Sequence, residues 1–280
     1  ATEGIKISRG GDGQNPLDQY AQLNMYGGTT NLISRGGTSG EGTIGLVTTS
    51  NGSTYNYRLF LDSNSRISLS NNSMGEATNT IFGYQAGNSI HASSGMNTFV
   101  GHQVADATMT ADADENTAVG HLALSSLTSG EKNIAIGSYT GINITSGDEN
   151  VLIGRSAGNN HNSSDLVAVG TAALASISNA TADGTVAVGH NALTALTIGT
   201  GNVAIGYTAL DAEIGGDKST AVGYEALTAQ TGVTGEVSNT AVGYSAGKAI
   251  TAGIKNVIIG SNTAIVAQDV DETVIIGQAA

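Results

Sequence analysis

From residue 77 onward, apolar residues recur in one short frame. Two β-branched or bulky residues stand two positions apart, a third apolar residue lies between them, and glycine follows. Representative copies read N-T-A-V-G-H-L-A-L (116–124), N-V-A-I-G-Y-T-A-L (202–210) and N-T-A-V-G-Y-S-A-G (239–247). The frame occurs twelve times, anchored on Gly83, Gly101, Gly120, Gly137, Gly154, Gly170, Gly189, Gly206, Gly223, Gly243, Gly260 and Gly277, at intervals of 16–20 residues. With each anchor counted as zero, position −1 is Ile, Val or Phe and position −3 is Thr, Val or Ile in all twelve copies. Position −4 is Asn in eight, with Leu166, Thr185, Ser219 and Thr273 in the rest, and position +3 is Ala in nine.

Each copy predicts a short strand and a turn. Residues two apart leave the same strand face, so −3 and −1 share one face and −2 takes the other. β-Branched residues suit a pleated, half-buried surface, and Ala at −2 lets something pack closely behind it. The anchor glycine ends the strand where the backbone must bend and a Cβ would obstruct. Asn at −4 can bond neighbouring backbone through its amide and, stacked in register, can form a ladder along an axis. After the turn, A-L or A-G opens a second short element, and Ser, Thr, Gly and Asp close the coil. One such unit cannot bury its apolar side alone, whereas stacked units bury it against each other, which is the logic of a solenoid. At ~4.8 Å per strand, twelve coils predict a rod roughly 55–60 Å long. Differences in coil length should fall in loops on one side.

Residues 1–76 follow another pattern and read as a small all-β region, joined to the repeat near Met74–Asn79. Alternation at Tyr55, Tyr57, Leu59 and Leu61, then at Ile67 and Leu69, predicts a hairpin across Asp62–Ser65. Shorter strands are expected at Ile5–Ile7, Ala21–Tyr26 and Thr43–Thr48, with Pro16 in a loop. The two I-S-R-G-G strings, 7–11 and 33–37, read as turns rather than as arms for RNA.

Composition narrows the function classes. Glycine fills 40 of 280 positions and proline one, which excludes collagen. Hydrophobic residues at 39% argue against a disordered chain. Gly, Asn, Ser and Thr interrupt every apolar run, so no membrane-spanning helix is predicted. Without cysteine there is neither disulfide stapling nor thiol catalysis. The net charge is −13: residues 1–76 carry five basic and six acidic side chains (−1), and residues 77–280 carry five and seventeen (−12). Such a surface repels phosphate backbones, so nucleic acid is not an expected partner.

The N-[TV]-x-[IV]-G-x-x-A copies resemble the YadA-like head repeats of trimeric autotransporter adhesins, a left-handed parallel β-roll. They resemble still more the longer variant found in bacteriophage tail-fibre and virion appendage proteins. This resemblance covers 77–280 and implies an all-β homotrimer of parallel β-rolls, twelve coils each, serving as a non-enzymatic fibre or adhesin segment. The implied partners are other copies of the chain, other fibre or virion components, and a host cell-surface glycan or protein. The implied location is the virion, with a bacterial cell surface as the alternative. Coils of 16–20 residues are longer than those of the adhesin heads, and neither a heptad stalk nor a membrane anchor is seen. Both departures point to a phage or other fibre component rather than a complete autotransporter.

Gly154–Gly158 and Gly243–Gly247 match the G-x-S-x-G elbow, but both lie in register with the repeat, and an elbow needs strand, turn and helix. No catalytic residue is therefore expected. A polysaccharide-degrading tailspike is a further alternative, yet short coils leave little room for its carboxylate-lined groove. Tyr84, His102, His121, His190, Tyr207, Tyr224 and Tyr244 all follow an anchor directly and form a candidate surface-binding column. Rings on successive coils sit ~4.8 Å apart, whereas ligands must converge about 2 Å from an ion, so no metal is expected there. The column is expected to stack and to face either a trimer contact or solvent, where it would meet glycan. The acidic runs Asp112–Glu115 and Asp269–Glu272 read as solvated loop charge, with weak calcium binding as the alternative. No cofactor is expected.

Overall fold

The computed structural model describes strands at 21–26, 29–34, 44–50, 54–61 and 65–68, and residues 79–279 apart from 111, 160–161, 178–181, 232–233 and 265–269. The chain divides into two compact units, Ala1–Arg66 and Ile67–Ala280. The sequence-based boundary after residue 76 and the strand expected at Ile5–Ile7 lie outside the described residues.

In the first unit Ala21–Tyr26 (β1) pairs antiparallel with Thr29–Ser34 (β2). Ile44–Ser50 (β3) pairs antiparallel with Thr54–Leu61 (β4), with a register shift between Leu46 and Val47. The strands expected at 21–26 and near 43–48 are present. The hairpin expected across Asp62–Ser65 is not, because β4 takes β3 as its partner. Seven-residue β3 offers more pairing than four-residue Ser65–Ser68 (β5), and the intervening Asn51-Gly52 favours a tight turn. β5 is instead an end strand of the long sheet of the repeat.

That sheet is the frame of the second unit. Its strands are Thr80–Tyr84 (β6), Thr98–Val100 (β7), Thr117–Val119 (β8), Ile134–Ile136 (β9), Val151–Ile153 (β10), Val167–Val169 (β11), Val186–Val188 (β12) and Val203–Ile205 (β13). Gly216–Asp217 (β14) and Gly235–Glu236 (β16) flank Thr220–Val222 (β15), and Thr240–Val242 (β17), Val257–Ile259 (β18) and Val274–Ile276 (β19) complete the series. All twelve repeat strands are parallel and stack in sequence order, equivalent position over equivalent position, as in Thr117↔Ile134, Ala118↔Ala135 and Val119↔Ile136. The second unit is thus an all-β parallel β-solenoid of eleven turns, with no helix among the described residues. The longest coil, between Gly223 and Gly243, carries a second short strand, β16, which pairs in parallel with β14 of the coil before it.

The anchor glycines have a second reason to be glycine. Each has φ between +129° and +157°, and at every anchor from Gly83 to Gly260 a Cβ would run into the carbonyl of the next anchor; at Gly137 it would lie 2.6 Å from the Gly154 oxygen. Positions −5, +2 and +4 also bend the chain at positive φ, and mostly without glycine. Leu124, Leu174, Leu193, Leu210 and Leu227 sit at φ 50–52°, a conformation costing roughly 1–2 kcal/mol per residue. It is held because each leucine is fully buried and its N–H donates to the +3 carbonyl one coil on, as from Leu174 to Ala192 at 3.1 Å. The expected second element is therefore a chain of left-handed corners bonded from coil to coil.

The core is thin and compensates its volumes. Position −2 points inward and is fully buried in most coils, as at Ala118, Ala168, Ala187, Ala204 and Ala221, each followed six residues later by an inward leucine. Where −2 is large (Ile81, Phe99, Leu152, Ile258), position +4 shrinks to Gly87, Ala105, Gly158 and Ala264. Position +7 adds Leu127, Ile144, Ile177, Leu196 and Ile250. In two successive coils that last column turns polar. The buried Glu213 carboxylate accepts the N–H groups of Ile214, Gly215 and Gly216 at 2.9, 3.0 and 2.6 Å, and the Gln230 amide donates to it at 2.6 Å.

The asparagine ladder expected at −4 forms. Asn133 is fully buried; its Oδ1 accepts from the Asn150 N–H and Nδ2 at 3.1 and 2.9 Å, and its own Nδ2 donates to Asn116 Oδ1 and to the Gly147 carbonyl at 3.1 and 2.8 Å. In this way each rung satisfies backbone groups of the neighbouring coil that stacking alone would leave unpaired.

Candidate interaction surface

Exposure alternates through every copy. In the fifth, Asn150 and Leu152 are buried while Glu149, Ile153 and Arg155 are exposed and Val151 is half-buried. Positions −5, −3, −1 and +1 thus share one outward face: a polar or charged column, two β-branched columns, and the ring column. The two middle columns lie in the open, with Ile134, Ile136, Ile153, Ile205, Val242 and Ile259 each 37–40% exposed.

The structure brings the predicted ring residues together as two ladders. The first runs Tyr84–His102 (ring centroids 5.2 Å apart), His102–His121 (5.2 Å) and His121–Tyr139 (5.0 Å), with interplanar angles opening from 20° to 48° to 81°. The second runs His190–Tyr207–Tyr224–Tyr244 at 5.1–5.3 Å, with planes within 9–11° of parallel. Tyr139 escaped the sequence reading because Ser138 holds +1 and the ring arrives one residue late. Arg155 and Thr171 occupy +1 between the ladders. Glu225, next in the chain, holds the Tyr224 phenol above its ordinary value, with burial and the flanking Tyr207 and Tyr244 adding to it. Glu225 also bonds Lys248 and raises its ammonium above the ordinary lysine value.

Stacking determines what these rings can do. A sugar bound by an aromatic residue normally lies on the ring face. In the second ladder the faces lie against one another, and its half-exposed tyrosines offer edges and hydroxyls to the outside. The arrangement therefore presents a row of polar tips beside apolar columns, suited to an extended contact.

The acidic runs serve the loops. Asp114 Oδ1 accepts the Gly95 N–H at 2.6 Å, and Asp271 Oδ1 accepts that of Ile254 at 2.9 Å. Ser156 and Ser245, of the G-x-S-x-G strings, sit at left-handed turn positions with φ 56° and 50°, followed by turns instead of a helix.

The fold and this surface define a class, a parallel β-solenoid with one long, weakly polar outward face. Compared with protein-family models, curated proteins and solved structures, the chain matches none.

Proposed function

We propose that the chain is a segment of a non-enzymatic, homotrimeric attachment fibre, a bacteriophage tail fibre or virion appendage that presents a host-binding surface. The observation that carries this reading is the outward face. Positions −3, −1 and +1 of twelve copies make thirty-six places, of which Arg155 alone is charged, in a chain of net charge −13. Eleven steps of ~4.8 Å and a width of about 13 Å give a face on the order of 700 Å². That is close to one partner's share of a standard interface. A rigid rod sharing this face among three copies would display three sets of loops, and multivalency would strengthen weak host contacts.

Light scattering tests the assembly and should give three chains per particle; a monomer would refute the reading. Incubation with host polysaccharide should release no reducing ends, and their appearance would make the chain a tailspike enzyme instead. Replacing Tyr207, Tyr224 and Tyr244 with Ser should lower the thermal stability of the trimer if the ladder lies at the shared face. If that variant kept its stability and lost host-cell binding, the ladder would be the receptor contact.

A further inference from the structure

Among the described residues of the repeat, four cations are paired: Lys132 with Glu131 at 2.8 Å, Lys218 with Glu236 at 3.7 Å, Lys255 with Glu272 at 3.6 Å, and Lys248 with Glu225. The fifth, Arg155, has no carboxylate within reach among those residues, although it lies in the strongly acidic part of the chain. It stands on the +1 edge of the outward face, with the small Ser138 and Thr171 at +1 in the coils before and after it.

The opposite edge is the −5 column, and Glu149 is its member in Arg155's own coil. Asp165 follows one coil later, and these two are the only acidic residues on consecutive coils of that column. Both are exposed. Asp165 has no cation near it among the described residues, and Glu149 has only Lys132 at 3.9 Å, which prefers Glu131. Within one chain six residues run from Glu149 to Arg155 across β10, keeping the two edges roughly 20 Å apart at about 3.3 Å per residue.

Symmetry decides which groups meet. A three-fold axis along the rod keeps every coil at its own height, and each interface it makes is heterologous, one edge of a copy against the other edge of the next. We infer that Arg155 of each chain pairs with Glu149 and Asp165 of the neighbouring copy, a trans ion pair that sets the three rods in register. This inference rests on the trimer reading. Apolar columns that repeat every coil can slip by one step with little loss, whereas a single charged level cannot. Electrostatic complementarity of this kind specifies register more than it adds affinity.

The test is a charge-swap cycle read by sedimentation equilibrium, with circular dichroism confirming that each chain still folds. Arg155→Glu, and separately Glu149→Arg with Asp165→Arg, should each weaken association roughly tenfold per interface. The combined swap should recover most of the loss, because opposite charges again face each other. If the wild-type protein is a trimer but the separate swaps leave it unchanged, or the combined swap fails to recover, the trans pair is overturned and the trimer stands. A monomeric wild-type protein overturns both.

Discussion

Asn133→Ala isolates the contribution of one rung of the ladder. The wild-type amide makes four hydrogen bonds in a fully buried site. Truncation leaves the Asn150 N–H and the Gly147 carbonyl without partners, whereas Asn150 Nδ2 keeps its bond to the Ser163 carbonyl at 3.0 Å. Each buried orphan costs about 1–3 kcal/mol, and the lost side-chain volume adds a cavity term. The expected destabilisation is about 3–5 kcal/mol, read from guanidinium unfolding followed by circular dichroism at one fixed protein concentration. Asn133→Thr should recover little, since the Thr185 hydroxyl, at the same repeat position, is buried and unpartnered. A loss below about 1 kcal/mol for alanine, or near-complete recovery by threonine, would refute the claim that the amide ladder, rather than strand pairing alone, holds the coils together.

Gly137→Ala should cost at least about 3 kcal/mol or prevent folding, because its Cβ meets the rigid Gly154 carbonyl rather than a movable side chain; thermal melts would measure it. Glu213→Leu should destabilise by about 3 kcal/mol despite matching Leu196 in the same column, because it orphans the buried N–H groups of Gly215 and Gly216 and the part-buried one of Ile214. A neutral or stabilising outcome would show that the turn rearranges. Glu225→Gln should bring the Tyr224 phenol back toward its ordinary value in an ultraviolet titration. A raised phenol favours its neutral form in the folded chain, so this contribution is present below the unfolded value of 10.0 and lost as pH rises through the higher folded one. The variant should therefore show a weaker loss of stability at alkaline pH.

How much was legible in the sequence follows from what each position answers to. Positions −4, −1 and 0 answer to one demand each in nearly every coil, so ladder, strand and bend all appear as repetition. The left-handed leucines at +4 were invisible because local preference opposes them, and only the buried contact and the coil-to-coil hydrogen bond hold them there. The exchange of bulk between −2 and +4 was also missed, since Phe99 with Ala105 and Ala118 with Leu124 look unrelated until both are seen to fill one cross-section. The ring column was legible as a column, but its division into two ladders depended on the late Tyr139. The β3–β4 hairpin lies in a part of the chain without repetition, and there alternation alone chose the wrong partner for β4.

The repeat separates what a residue owes its own chain from what it owes its surroundings. Inward positions must match the coils before and after, and several vary in compensating sets such as Leu152 with Gly158, or Glu213 with Gln230. Outward positions carry no such debt, because a side chain at +1 can change from Tyr to Ser to Arg without disturbing a core it does not touch. A pattern that persists there needs a cause outside the single chain. Exclusion of charge from thirty-five of thirty-six outward places is such a pattern, since water alone would tolerate lysine or glutamate at any of them. Charge is abundant at −5 and in the loops, where Lys132, Glu149 and Lys255 stand, so the exclusion is local to the face and not a property of the composition. Selection against charge at one face, beside free use of charge at its edge, is the signature expected of a surface that is covered when the protein works.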